Sequence, residues 1–160
     1  MARIVSFNVN GLRSRLHQLQ ALVDQYSPDI IGLQETKVSD AEFPREAIEA
    51  MGYHVDFCGQ KGHYGVALLS KTRALTTSTG FPDDAEDAQR RLIHGQYKLN
   101  GTTLHVINGY FPQGESRQHP TKYPAKEQFY GDLLSYLNAQ FTVDDHVIVM
   151  GDMNVAPADI

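Results

Sequence analysis

The sequence predicts an α/β protein, and three features carry that prediction. Two short apolar runs near the start flank a stretch of helical periodicity, the middle is patterned like antiparallel strands, and a second amphipathic stretch leads into a last apolar run. The first run, Ile4-Val5-Ser6-Phe7, ends at the polar Asn8-Val9-Asn10-Gly11 and reads as a buried strand exiting into a turn. Leu12, Leu16, Leu19, Leu22, Val23 and Tyr26 then recur at helical spacing until Pro28, whose ring and missing N–H forbid continuation. Ile30-Ile31-Gly32-Leu33 follows as a second buried strand with Gln34-Glu35 at its exit, so strand, helix and strand form a parallel unit.

Residues 44–51 fit a short helix with a proline in its first turn, where no N–H is needed, and Gly52 as its stop. Residues 53–57, 64–69, 93–99 and 102–109 are strand-like. Asn100-Gly101 joins the last two, and that dipeptide best tolerates the left-handed backbone of a tight hairpin. Residues 112–124 are expected as a long polar loop, and 125–141 as a helix with Phe129, Leu133, Leu134 and Leu137 on one face. Val147-Ile148-Val149-Met150 is the last buried strand and exits into Gly151-Asp152-Met153-Asn154. Neither an internal repeat nor a linker divides the chain.

With 41% hydrophobic and 21% charged residues over 160, the chain is an ordinary globular one, which excludes a disordered or collagenous polymer. Cys58 is the single cysteine, so an intrachain disulfide and a Cys/His zinc cage are both excluded and a reducing cytoplasm is the expected location. No apolar stretch approaches the ~18 residues of a membrane span, and no leader is expected. A net charge of −5 argues against a passive coat on nucleic acid. The charges are unevenly spread: Arg3, Arg13 and Arg15 stand without an acid in the first 23 residues, whereas residues 127–160 hold acids and no Lys or Arg. One-sided approach to a polyanion and a chance partition both fit this distribution.

Three apolar strands end in oxygen-rich tips: Asn8 and Asn10, Gln34 and Glu35, Asp152 and Asn154. If the strands run the same way, the tips converge at one sheet edge, where open α/β sheets place ligands. Carboxylates and carboxamides without a thiolate make a hard site suited to Mg²⁺ or Mn²⁺, ions that handle phosphates. The plainer reading is that strand ends are polar because loops are wet. A phosphate-binding Gly-x-x-x-x-Gly-Lys loop, a Gly-x-Ser-x-Gly elbow and a His pair at i, i+4 are all absent. Gly59, Gly62 and Gly65 are expected as turn residues, His105 as a packing residue, and Tyr53, Phe57, Tyr64 and Tyr97 as core. The acidic residues 83–87 read as a solvated loop, with Arg90-Arg91 after them as candidate phosphate contacts.

Five stretches, Ser6-Phe7-Asn8-Val9-Asn10-Gly11-Leu12-Arg13, Leu33-Gln34-Glu35-Thr36-Lys37, residues 59–67, Asn108-Gly109-Tyr110-Phe111-Pro112-Gln113-Gly114 and Gly151-Asp152-Met153-Asn154, resemble the exonuclease III type of abasic-site endonuclease in wording and order. Leu-Gln-Glu and Gly-Asp-x-Asn mark the wider endonuclease/exonuclease/phosphatase superfamily, while Asn-Gly-Leu-Arg and the Gly-Tyr-Phe-Pro-Gln-Gly loop pick out the DNA-repair branch. The resemblance implies a mixed-sheet, two-sheet α/β sandwich that hydrolyses DNA phosphodiesters with Mg²⁺ or Mn²⁺, acting on double-stranded DNA at abasic sites and 3′ ends. It further implies that Glu35 holds the ion with Asn8 beside it, that Asp152 serves the attacking water, and that Asn154 and Tyr110 hold the phosphate. Asp152 and Asn154 also fall within reach of the ion in this scheme, and Arg91, Gln113 and Lys122 become contacts to the DNA backbone.

The family continues past Gly-Asp-x-Asn to a later aspartate and a terminal Ser-Asp-His motif, and neither is present here. Residues 1–160 are therefore expected to be the N-terminal part of one nuclease domain, inactive or weak alone, lacking much of the second sheet and leaving an apolar face bare. A complementary C-terminal fragment is an expected partner. Two other readings stand beside this one: a non-catalytic DNA-binding or interaction fragment, and a superfamily phosphatase for lipid or inositol phosphates.

Overall fold

The computed structural model describes residues 2–156. The parallel unit forms as β1 (Ile4–Asn8), α1 (Leu16–Tyr26) and β2 (Ile30–Gln34), with Ile4 opposite Ile30 and Asn8 opposite Gln34. There follow α2 (Arg45–Ala50), β3 (His54–Cys58), β4 (Val66–Ser70), β5 (Thr76–Thr79), β6 (Leu92–Leu99), β7 (Thr102–Tyr110), α3 (Lys122–Gln140) and β8 (Val147–Asp152). The strands form two four-stranded sheets, ordered β1-β2-β4-β3 and β5-β6-β7-β8. Both are mixed: β1 with β2 and β7 with β8 are the parallel pairs, and the other pairings are antiparallel.

The architecture is a two-sheet α/β sandwich. Leu19 of α1 and Ile48 of α2 pack with Ile31, Leu33, Val55, Ala67 and Leu69 on one face of the first sheet. Phe129 and Leu133 of α3 cover Leu92, Ile107 and Phe111 on the second. Between the sheets lie Ile30, Val66, Leu68, Ile93, Tyr97, Val106 and Met150. Among the described residues each sheet has four strands and their inner faces meet over this cluster, while the apolar edge strands β1 and β8 stay mostly half-buried. Among the described residues no helix is long and apolar enough to cross a membrane.

Local departures from the sequence pattern have local causes. Leu12 opens a single 3-10 turn (Leu12–Ser14), and α1 proper begins at Leu16. The N–H groups of Val9, Gly11 and Leu12 donate to the carbonyls of Gln34, Glu35 and Thr36, so they are drawn onto the exit of β2 before a helix can form. α3 starts at Lys122, three residues before the expected boundary, because Pro124 in a first turn lacks only an N–H that would have no helical partner. β5 is fully exposed and built of Thr and Ser, so no apolar alternation marks it.

Period-two alternation sends Ile4, Ser6 and Asn8 of β1, Ile30, Gly32 and Gln34 of β2, Val106, Asn108 and Tyr110 of β7, and Ile148, Met150 and Asp152 of β8 to the inner faces. Along all four strands the interior changes from apolar to polar in the same direction. The polar ends meet at one rim of the sandwich.

Candidate active site

That rim brings together the tips expected to converge. Asn8 ends β1, Glu35 directly follows β2, and Asp152 ends β8. The Asn8 carboxamide joins the two acids: its Nδ2 donates to Glu35 Oε1 at 2.8 Å and to Asp152 Oδ2 at 2.9 Å. One side chain of the first sheet thus links carboxylates carried by different sheets, while its own Oδ1 accepts the Asn10 N–H at 3.0 Å. Asp152 Oδ1 accepts the Asn154 N–H at 3.0 Å, and the Asn154 Nδ2 donates to the Phe111 carbonyl at 2.8 Å. At Gly151 (φ 142°) a Cβ would lie 1.9 Å from the Gly109 carbonyl oxygen, so only glycine lets β8 run this close to β7 just before Asp152.

The backbone here is held in conformations that side chains disfavour. Asn10, Glu35, Lys37, Tyr64 and Asn154 all have positive φ, between 43° and 53°. Such residues cost on the order of 1–2 kcal/mol each and persist where surrounding bonds over-determine them. Those bonds are present: Gly11 N–H to the Glu35 carbonyl at 2.7 Å, Thr36 N–H to Gly65 at 3.1 Å and Lys37 N–H to Tyr64 at 3.0 Å. The left-handed turn at Lys37 brings its ammonium back to Glu35 Oε2 at 2.8 Å and Asn10 Oδ1 at 2.5 Å.

Burial pushes the Glu35 carboxyl up, but Lys37, Asn8 and Tyr110 together outweigh it and hold Glu35 below the usual carboxylate range. Burial and the neighbouring Glu35 carboxylate push the Tyr110 phenol up to about 12, so at neutral pH it keeps its proton as a donor. Arg91 braces that ring: its guanidinium carbon lies 4.3 Å from the centre of Tyr64 and 5.0 Å from that of Tyr110. Its Nη1 donates to the Tyr110 carbonyl at 3.0 Å and its Nε to Gln89 Oε1 at 2.6 Å.

Of the residues singled out from sequence, Asn8, Glu35, Tyr110, Asp152 and Asn154 are brought together, and Arg91 stacks directly behind them. Gln113 and Lys122 lie outside that cluster; both are exposed, and Lys122 pairs with Glu115. Tyr64 corrects the expectation of a core residue, because it sits on Arg91 and faces Tyr110 with ring centres 6.4 Å apart. Two lysines had no role in the sequence reading: Lys37, and Lys126, whose Nζ donates to the Asn154 carbonyl at 2.6 Å. Lys37 stands two residues after Glu35 in a quoted motif, yet only a left-handed backbone returns it to the acid. Among the described residues no three His, Cys, Asp or Glu side chains cluster as metal ligands. The two carboxylates that Asn8 joins, Glu35 and Asp152, instead fit a hard ion of the Mg²⁺ kind, which takes one or two protein carboxylates and fills its shell with water and phosphate.

Comparison with known proteins adds to this geometry. Residues 5–160 match the model of the endonuclease/exonuclease/phosphatase family. An exodeoxyribonuclease III of Haemophilus influenzae is 54% identical over 99% of this chain and 59% of its own length. An exodeoxyribonuclease of Bacillus subtilis is 30% identical, again over 99% of this chain and 60% of its own. An AP endonuclease structure from Archaeoglobus fulgidus superposes with a TM-score of 0.86 at 39% identity, covering 99% of this chain and 59% of that one. A Neisseria 3′ phosphatase bound to a product DNA hairpin gives 0.88 at 36% identity, covering 99% and 60%. The chain therefore spans about three fifths of the length of these relatives.

Proposed function

Because the chain belongs to the endonuclease/exonuclease/phosphatase family, we propose that it is part of an exonuclease III-type DNA-repair nuclease, which hydrolyses phosphodiesters of double-stranded DNA at abasic sites and 3′ ends. One observation carries the reading: Asn8 bridges Glu35 and Asp152, gathering both carboxylates and the Tyr110 hydroxyl at the rim where the sheets meet. Phosphoryl transfer needs positioned groups and charge neutralisation more than covalent chemistry. Asp152 accepts the proton of the attacking water as the new bond to phosphorus forms and the bond to the departing strand oxygen breaks. Tyr110 stays protonated and donates to a phosphate oxygen, with Arg91 holding its ring in place. Asn8 keeps the two carboxylates at a fixed spacing, and Asn154 approaches the phosphate from the β8 side. Mg²⁺ or Mn²⁺ held by Glu35, with Asn8, Asp152 and Asn154 around it, would neutralise the phosphate charge.

The chain is proposed to be weak or inactive alone, since it spans only part of its relatives' length, and a complementary C-terminal fragment is its proposed partner. Mixing it with a separately made C-terminal portion of the Haemophilus relative should restore Mg²⁺-dependent cleavage of an abasic duplex. Association without cleavage would overturn the nuclease reading in favour of a binding fragment. Turnover of inositol phosphates with indifference to DNA would favour a phosphatase.

A further inference from the structure

We propose that Asn108 is a positioning residue, a buried crossbar that sets how the sheet carrying Glu35 registers on the sheet carrying Asp152. Asn108 belongs to β7 of the second sheet and is fully buried. Among the described residues, all of its side-chain hydrogen bonds go to the first sheet. Its Nδ2 donates to the carbonyls of Leu33 on β2, at 2.9 Å, and Ala67 on β4, at 3.0 Å. Leu33 and Ala67 are opposite one another in the ladder, so the amide is clamped between two strands. Its Oδ1 accepts from Gln34 Nε2 at 2.6 Å, and that same nitrogen reaches the Gly32 carbonyl at 3.0 Å and Ser6 Oγ at 3.2 Å. Gly32 makes the room: a Cβ there would fall 2.8 Å from Asn108 Cγ and 2.5 Å from Met150 Cε.

The place of this bar matters because the candidate site is divided between the sheets. Gln34 immediately precedes Glu35, and Asn108 lies two residues before Tyr110 on the same strand face. The interior around it is mostly apolar, Ile30, Val66, Leu68, Ile93, Val106 and Met150 with Cys58 and Tyr97, whose buried hydroxyl has no hydrogen-bond partner among the described residues; apolar contact is non-directional, so it holds the sheets together without specifying their offset. A buried carboxamide is directional, because sliding the sheets strands its donors and acceptor away from water. At the offset that this bar holds, Asn8 of the first sheet reaches Asp152 of the second at 2.9 Å as well as Glu35 at 2.8 Å.

The inference rests on reading Asn8, Glu35 and Asp152 as one site, and its test reads the geometry of that site rather than turnover. In the full 160-residue chain, the Asn8 side-chain amide protons can be followed by their exchange with solvent. Asn108→Leu keeps the branched heavy-atom skeleton, with some added bulk, and removes the bonds; Val106→Ala, one step deeper on the same face, weakens the same interior without touching them. Asn108→Leu is expected to speed Asn8 amide exchange by roughly tenfold or more while backbone amides of β1, β2, β7 and β8 stay protected. Val106→Ala, at an equal loss of melting temperature, should leave Asn8 unchanged. Unchanged Asn8 exchange in Asn108→Leu, or an equal acceleration in Val106→Ala, would overturn the proposal. Should Asn108→Leu not fold, Gln34→Met removes the Gln34 arm of the bar and is read by the same outcomes. Mn²⁺ titration of the parent chain reports on the metal reading separately, so a parent that binds no Mn²⁺ leaves the Asn8 result decisive.

Discussion

Asp152 ends β8 with one carboxylate oxygen on the Asn154 N–H and the other on Asn8. The first bond is what a turn-capping aspartate makes, and the second is what a catalytic one shares with its site. Asp152→Asn separates the two roles. In the chain complemented to activity, removing the proton acceptor should lower single-turnover cleavage by ~10² to 10⁴ while DNA affinity stays within a few-fold. A purely capping role predicts instead a loss of about 1 kcal/mol in stability with turnover intact. Melting, binding and cleavage measured on the one variant decide between them.

At the scale of elements, α3 joins two different kinds of contact. Lys122 at its start is 59% exposed and, among the described residues, is ion-paired only with the similarly accessible Glu115, an arrangement that contributes little to stability and leaves the ammonium available to a phosphate. Lys122→Ala should weaken DNA binding evenly across sequences and reduce the dependence of log affinity on log salt by about one unit. A slope equal to the parent's would leave Lys122 as a solvated surface charge.

The middle of the same helix seats Tyr136 over His94, whose Nδ1 lies 2.8 Å from the tyrosine hydroxyl and whose Nε2 lies 3.0 Å from His105 Nδ1. Burial first, and His105 second, lower the His94 pKa to about 4 from an ordinary 6.5. The folded state therefore binds fewer protons than the unfolded one between those values, so His94 contributes stability in full above pH 6.5 and loses it as pH falls toward 4. His105 on β7, Tyr136 on α3, and Asp145 and His146 before β8 are the titratable neighbours of this cluster. Melting temperature followed from pH 7 to 4 should fall more steeply in the parent than in His94→Gln, and parallel curves would assign the acid loss to other groups.

For the whole molecule, the division of the proposed site between two sheets would make ion binding a tie across the sandwich. A ligand that binds only the folded state stabilises it by mass action, about 2.7 kcal/mol at a hundred times its Kd. Mg²⁺ should accordingly raise the melting temperature of the parent, and Glu35→Gln should abolish that rise, since a hard ion holds a neutral amide far less well than a carboxylate. Mg²⁺ stabilisation that survives in Glu35→Gln would remove Glu35 from the ion's shell.

The sequence by itself determined the alternation of strands and helices, the hairpin at Asn100-Gly101 and the polar tips at Asn8, Glu35 and Asp152, because each is written in local spacing of side chains. It also carried the wording of the family motifs. It left β5 unmarked, since an exposed strand of Thr and Ser has no apolar rhythm, and it placed Tyr64 in the core, since an aromatic beside a strand looks the same whether it meets another strand or an arginine. Tertiary structure alone decided that Asn8 would bridge acids on two sheets, that Lys37 would turn back onto Glu35, and that Asn108 would fill the space over Gly32. These contacts join residues as far apart as 8 and 152, and which of them meet is set by the offset and closure of two sheets rather than by any local pattern.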